Sequence, residues 1–116
     1  MGDKSWKAFE RRIATILGGV RRGAYTGGAS GGETDVIHEA FGIECKLLSR
    51  PGHADILAAC RQAERNSDDT LTPIAIIKRK NDLDRDAIVA MRLETWLDWY
   101  GPSHPPVEKT NGGCSG

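Results

Sequence analysis

Thr34-Asp35-Val36-Ile37-His38-Glu39-Ala40-Phe41-Gly42-Ile43-Glu44-Cys45-Lys46-Leu47-Leu48 is the stretch on which the fold of this chain turns. Two runs rich in β-branched and apolar residues flank Phe41-Gly42, and the small residue there predicts the turn of a β-hairpin. Side chains at i and i+2 of a strand share a face, so Glu44 and Lys46 project together while Ile43, Cys45 and Leu47 face a core. Asp35 enters the first strand, and strand pairing brings its carboxylate beside Glu44. Two carboxylates and one ammonium then converge on one spot. The plain alternative is an edge hairpin with solvated charges.

Paired acids offer hard oxygen ligands to Mg²⁺, with Mn²⁺ as substitute; such an ion keeps several waters and takes one or two carboxylates plus substrate phosphate. A neighbouring lysine suits the orientation of an attacking water, or offsets charge that builds on phosphorus. Zinc is not expected, because His38, His53 and His104 are scattered without a His/His or Cys/His ligand spacing. Asp35 followed by Glu44-Cys45-Lys46 resembles the D…(D/E)xK signature of the restriction-endonuclease-like nucleases.

Upstream, Trp6, Phe9, Ile13, Ile16 and Leu17 repeat at helical spacing, with Lys4, Lys7, Arg11 and Arg12 on the other side. Ser5 or Asp3 can cap this helix and Gly18-Gly19 ends it. For an isolated glutamate beside such a stripe, the ordinary reading of Glu10 is a surface partner or a pair with a nearby arginine. Val20-Arg21-Arg22 reads as a short strand, followed by a loop, residues 23–33, whose glycines permit close backbone approach to phosphate. It is neither a Walker A loop nor a dinucleotide fingerprint, since no Gly-Lys-Ser/Thr follows and a strand comes next.

The segments Trp6 to Arg12, Arg21/Arg22, Ala29-Ser30-Gly31-Gly32 and Asp35 resemble, in order, those of the archaeal and phage-type Holliday junction resolvases. Thr34 departs from the pattern by standing where the wider family often has proline, and the loop-to-aspartate spacing is shorter. The resemblance implies a restriction-endonuclease-like α/β fold, a mixed central sheet flanked by helices. It implies catalytic Glu10, Asp35, Glu44 and Lys46, with metal held by Asp35, Glu44, the Cys45 backbone carbonyl and, through water, Glu10. DNA contacts are assigned to Arg11, Arg12, Arg21, Arg22, Ser30, Gln62, Lys78, Arg79 and Lys80, although Ser30 also reads as an ordinary loop hydroxyl and Gln62 as a solvated side chain. The implied activity is Mg²⁺-dependent cleavage of branched DNA by a homodimer. Other nicking, flap or restriction-type nucleases share the same site, and a non-cleaving DNA-binding module of the same fold is the reading from another class.

The rest of the chain fits an α/β order. Helix formers run from Ala54 to Arg65 after a break at Ser49 to Gly52, and Thr72 to Lys78 is an almost continuous apolar strand covered on both faces. Lys78-Arg79-Lys80 reads as a phosphate clamp where that strand ends. Ala87 to Met91 predicts a further strand, and Leu93 to Tyr100 a final helix whose aromatic residues suit either a core or a subunit interface. Residues 1–100 are expected to form one nuclease domain and residues 101–116 a disordered tail.

With 116 residues and 16 basic against 16 acidic side chains, no overall field announces a nucleic-acid partner. Cys45, Cys60 and Cys114 form no C-x-x-C pair, and their odd number argues against a disulfide framework. Without a signal-like leader or a membrane-length apolar run, the chain is expected in the cytoplasm, with no membrane and no small-molecule cofactor, of cellular, phage or mobile-element origin.

Overall fold

The computed structural model describes residues 5–22 and 34–102. Asp3, the glycine-rich loop with Ser30, and residues 103–116 of the expected tail lie outside them. The described chain runs α1 (Ser5–Leu17), β1 (Val20–Arg21), β2 (Val36–Ile37), β3 (Phe41–Leu48), α2 (His53–Asn66), β4 (Thr72–Arg79), β5 (Ile88–Ala90) and α3 (Leu93–Tyr100), with a 3-10 turn at Asp84–Asp86. The strands form one mixed sheet in the order β1-β2-β3-β4-β5, in which only β3 and β4 are parallel. This is an α/β architecture. No described helix is long and apolar enough to cross a membrane.

A parallel pair needs a crossover, and α2 supplies it between β3 and β4. On one face of the sheet, Phe9, Ile13 and Ala14 of α1 pack with Val36, Ile43, Cys45, Ile74 and Ile76. On the other, Ala59 and Cys60 of α2 pack with Ala75 and Ile77. Coverage of both faces accounts for the unbroken apolar run of β4, buried from Thr72 to Lys78. The stripe on α1 is narrower than its spacing suggests, for Trp6 in the first turn and Ile16 at the margin of the arc are exposed. Gly18, at φ 81°, ends α1 in the left-handed region while the Gly19 amide donates to the Ala14 carbonyl at 2.7 Å.

The hairpin turn does not sit at Phe41-Gly42, which belong to β3; it is made by His38-Glu39-Ala40. His38 Nδ1 accepts the amides of Ala40 at 2.9 Å and Phe41 at 3.3 Å, doing with an imidazole what Asx side chains do in turns. With that lone pair occupied, Nε2 carries the proton and donates to the Leu17 carbonyl at 2.9 Å, bolting the end of α1 to the hairpin. Gly42 is glycine for a tertiary reason. A Cβ there would overlap the hydroxyl of Ser67, where the chain leaves α2.

Gly42→Ala should therefore destabilise by about 1–3 kcal/mol through overpacking, whereas Gly52→Ala, whose Cβ would meet only the Asp55 carboxylate at 3.9 Å, should be far milder. Denaturant midpoints of both variants, with Ser67→Gly added to the first, check this. Equal stability of Gly42→Ala and the parent, or no relief from Ser67→Gly, would contradict the packing account.

Candidate active site

The site forms where β2 and β3 part. The Asp35 amide donates to the Ile43 carbonyl at 3.0 Å and the Asp35 carbonyl accepts the Arg22 amide at 2.8 Å, so the backbone of this residue is held on both sides. One step further along β3 no backbone partner remains on that edge among the described residues, and Asp35 Oδ2 takes the Cys45 amide itself at 2.8 Å. Along an extended strand the N–H and C=O of one residue share an edge, so the Cys45 carbonyl lies on the Asp35 side. Thr34 is buried beneath this corner. Its hydroxyl donates to the Val36 carbonyl at 3.2 Å, and its own carbonyl accepts from Arg22 Nε.

Glu44 is buried on the α2 face and held by that helix: Gln62 Nε2 donates to Oε2 at 3.0 Å and Asn66 Nδ2 to Oε1 at 3.5 Å. Glu10, inside the buried arc of α1, accepts Arg21 Nε at 2.9 Å across a half-buried ion pair. Asp35 at the sheet edge joins the two faces electrostatically. Burial first, and then the neighbouring Asp35 carboxylate, push the Glu44 carboxyl up to about 8 against the pull of Lys46. The same two causes raise Glu10, with Arg21 and Lys46 opposing. Burial and the three surrounding acids also raise the Cys45 thiol, which keeps it neutral and inert inside the core.

Of the residues assigned from sequence, Glu10, Asp35, Glu44, Lys46 and Gln62 come together here. Glu10 enters as an Arg21-paired neighbour; among the described residues no three His, Cys, Asp or Glu side chains are grouped to hold a metal ion. Asn66 was legible only in retrospect: it follows Gln62 by one helical turn, which places both amides on one face of α2.

The basic residues fare differently. Lys78 is buried, sits over the Phe9 ring at 5.3 Å and pairs with Asp84 at 2.9 Å, so it is a structural ion on the α1 face instead of a phosphate clamp. Arg12 bonds the same Asp84, whose carboxyl the two cations hold down at about 2. Arg79 pairs with Asp82, while Arg11 and Lys80 are exposed. Arg21 and Arg22 are committed to Glu10 and Thr34.

Asp35, Glu44 and the Cys45 carbonyl are a hard, oxygen-only donor set, with two carboxyls close enough to repel strongly. That fits an ion of the Mg²⁺ type, which needs one or two carboxylates and retains water, and the repulsion is what a cation would relieve. Comparison with family models, with characterised proteins and with solved structures finds no match to this chain.

Because folding raises the Glu44 carboxyl from its ordinary 4.5 to about 8, the native state holds this proton more tightly than the unfolded chain. The stability it contributes is complete below the ordinary value and is lost as pH rises through about 8. Denaturant midpoints of the metal-free protein should fall across this window, Glu10 acting in the same direction, and Glu44→Gln should flatten most of the slope. An identical slope in Glu44→Gln would refute the assignment.

Proposed function

We propose that this protein is a metal-dependent endodeoxyribonuclease of the restriction-endonuclease-like kind, acting on branched DNA, Holliday four-way junctions included, as a homodimer. The observation that carries the nuclease reading is the convergence of Asp35 and Glu44, with Lys46 in electrostatic reach, at the edge where β2 leaves β3. The order α1-β1-β2-β3-α2-β4 agrees with the fold that the Asp35…Glu44-Cys45-Lys46 signature implies. Branched DNA as substrate rests on the likeness of the Glu10, Arg21/Arg22 and loop segments to junction resolvases. A nicking, flap or restriction-type nuclease would use the same residues.

In this reading Asp35, Glu44 and the Cys45 carbonyl hold Mg²⁺ or Mn²⁺. The ion supplies Lewis-acid charge at a phosphoryl oxygen and makes water a better nucleophile. The chain does the positioning. The Cys45 amide fixes Asp35, and Gln62 and Asn66 each hold one oxygen of Glu44 from α2. Lys46 offsets charge on the scissile phosphate and orients the attacking water. Arg21 neutralises Glu10 beside them, and exposed Arg11 and Lys80 are left to meet phosphates further out.

Incubated with a labelled synthetic four-way junction, flap, duplex and single strand, the protein should cut only with Mg²⁺ or Mn²⁺ present and should prefer the junction. Asp35→Asn and Lys46→Met should each lower the cleavage rate by about a thousandfold or more, the scale of losing electrostatic stabilisation in a transition state, while junction binding persists. Asn66→Ala should cost less, about tenfold, because Gln62 still holds Glu44. Full cleavage after exhaustive chelation, or by Asp35→Asn, would overturn the reading.

A further inference from the structure

We propose that Thr34, clasped by Arg22, is the positioning residue that aims the Asp35 carboxylate; the inference rests on the metal-site reading of Asp35 and adds how this chain holds that side chain in place. In a regular antiparallel strand the N–H and C=O of one residue point to the same neighbour. At Asp35 they part: the amide donates to the Ile43 carbonyl of β3 at 3.0 Å, and the carbonyl accepts the amide of Arg22, just past β1, at 2.8 Å. Val36 is itself registered opposite Ile43, so Asp35 and Val36 together face one residue of β3. Two residues against one make a β-bulge, which bends the strand, disrupts the ladder locally and re-aims a side chain. The side chain re-aimed here is the Asp35 carboxylate, and the ladder amide left over is that of Cys45, which the carboxylate accepts at 2.8 Å.

An extra residue in a strand is slack, and a slip by one place would turn the side chains onto the opposite face of the sheet. Thr34 and Arg22 take up that slack. The Thr34 hydroxyl donates to the Val36 carbonyl at 3.2 Å, a bond that spans Asp35 from the residue before it to the residue after. Arg22 grips the same threonine twice, donating from Nε to its carbonyl and from Nη2 to its hydroxyl, the latter at 3.4 Å. The Arg22 main chain meanwhile holds the Asp35 carbonyl.

Thr34 is 2% exposed, so these bonds are not exchanged for bonds to bulk water, and removing the hydroxyl leaves buried polar groups unmatched. A threonine hydroxyl that bonds a nearby carbonyl competes with the ladder in a plain strand; beside a bulge it supplies the restraint that the ladder lacks. The planar fork of an arginine suits a carbonyl and a hydroxyl on one residue, a match that a lysine ammonium does not reproduce. A liganding carboxylate has to be held within about half an ångström of its working position by the groups around it. Arg22 therefore serves the site through Thr34, and its guanidinium is spent on aiming Asp35 instead of meeting a phosphate.

Amide hydrogen exchange of the metal-free full chain tests the clasp without metal or DNA. Thr34→Val keeps the shape and removes the hydroxyl; it should speed exchange at Cys45 by roughly tenfold, the scale of one hydrogen bond. The Glu44 and Lys46 amides, which alternation turns toward β4, should keep their protection. Affinity for Mg²⁺ alone, read by titration calorimetry, should fall roughly ten- to a hundredfold in Thr34→Val, the usual cost of removing a group that orients a ligand. Thr34→Ser, which restores the hydroxyl, should recover most of both. Should Thr34→Val fail to fold, Arg22→Lys, which keeps the charge and loses the fork, carries the same two expectations. A Cys45 amide as protected as in the parent, an even loss of protection along β3, or no recovery in Thr34→Ser would overturn the proposal. A parent protein that binds no Mg²⁺ while Cys45 responds as expected would remove the metal-site reading and leave the clasp standing; Mg²⁺ bound equally by parent and variants would do the reverse.

Discussion

The bond from the Cys45 amide to the Asp35 carboxylate, 2.8 Å long, is the constraint from which the rest of the site follows. A strand amide that loses its neighbour inside a protein must find another acceptor, because an unpaired buried N–H costs about as much as a whole hydrogen bond. Here the neighbour is lost because β2 has only two residues and the chain turns away at Asp35. A carboxylate fills the place of the missing carbonyl. The closure of the sheet edge thus fixes an anionic side chain beside Glu44, and a requirement of the ladder becomes a feature of the site.

The electrostatic consequence is an imbalance in charge. Glu10, Asp35 and Glu44 are three acids, and Lys46 and Arg21 are two bases, so full ionisation leaves one negative charge in poorly solvated surroundings. Without a cation the protein answers by keeping a proton on Glu44, the acid burdened most by burial. Divalent charge offers another answer and frees that carboxylate to act as a ligand. The packing around the site is arranged to keep the acids in place: Gln62 and Asn66 restrain Glu44 from α2, Arg21 restrains Glu10, and His38 ties the end of the helix carrying Glu10 to the hairpin carrying the others.

Much of this was legible in the sequence because it depends on local period. Alternation along β3 separated Glu44 and Lys46 from Ile43, Cys45 and Leu47, and helical spacing delimited α3 to the residue and placed the end of α1 near Leu17, while its start stayed open between a cap at Asp3 and one at Ser5. What escaped depends on contacts distant in sequence. Gly42 looked like a turn residue, yet its small size answers to Ser67, twenty-five positions later; the turn is built by a histidine, for which turn statistics give little weight. Lys78 looked like part of an exposed basic cluster, although the alternation Ile74, Ile76, Lys78 places it in the row that faces α1, where Asp84 neutralises it. The identity of Asp84 as that partner had no local signal.

The central claim is that Asp35 and Glu44 form a site for a divalent cation, and a carboxyl-resolved NMR titration addresses it without reference to any substrate. With glutamate side-chain carboxyls labelled with ¹³C, Glu44 should titrate near 8 in the metal-free protein. Mg²⁺ should move that midpoint down by several units, because the ion binds only the ionised form. In Asp35→Asn the metal-free midpoint should already be lower and the response to Mg²⁺ largely lost. A Glu44 midpoint indifferent to Mg²⁺ in the parent protein would contradict the account.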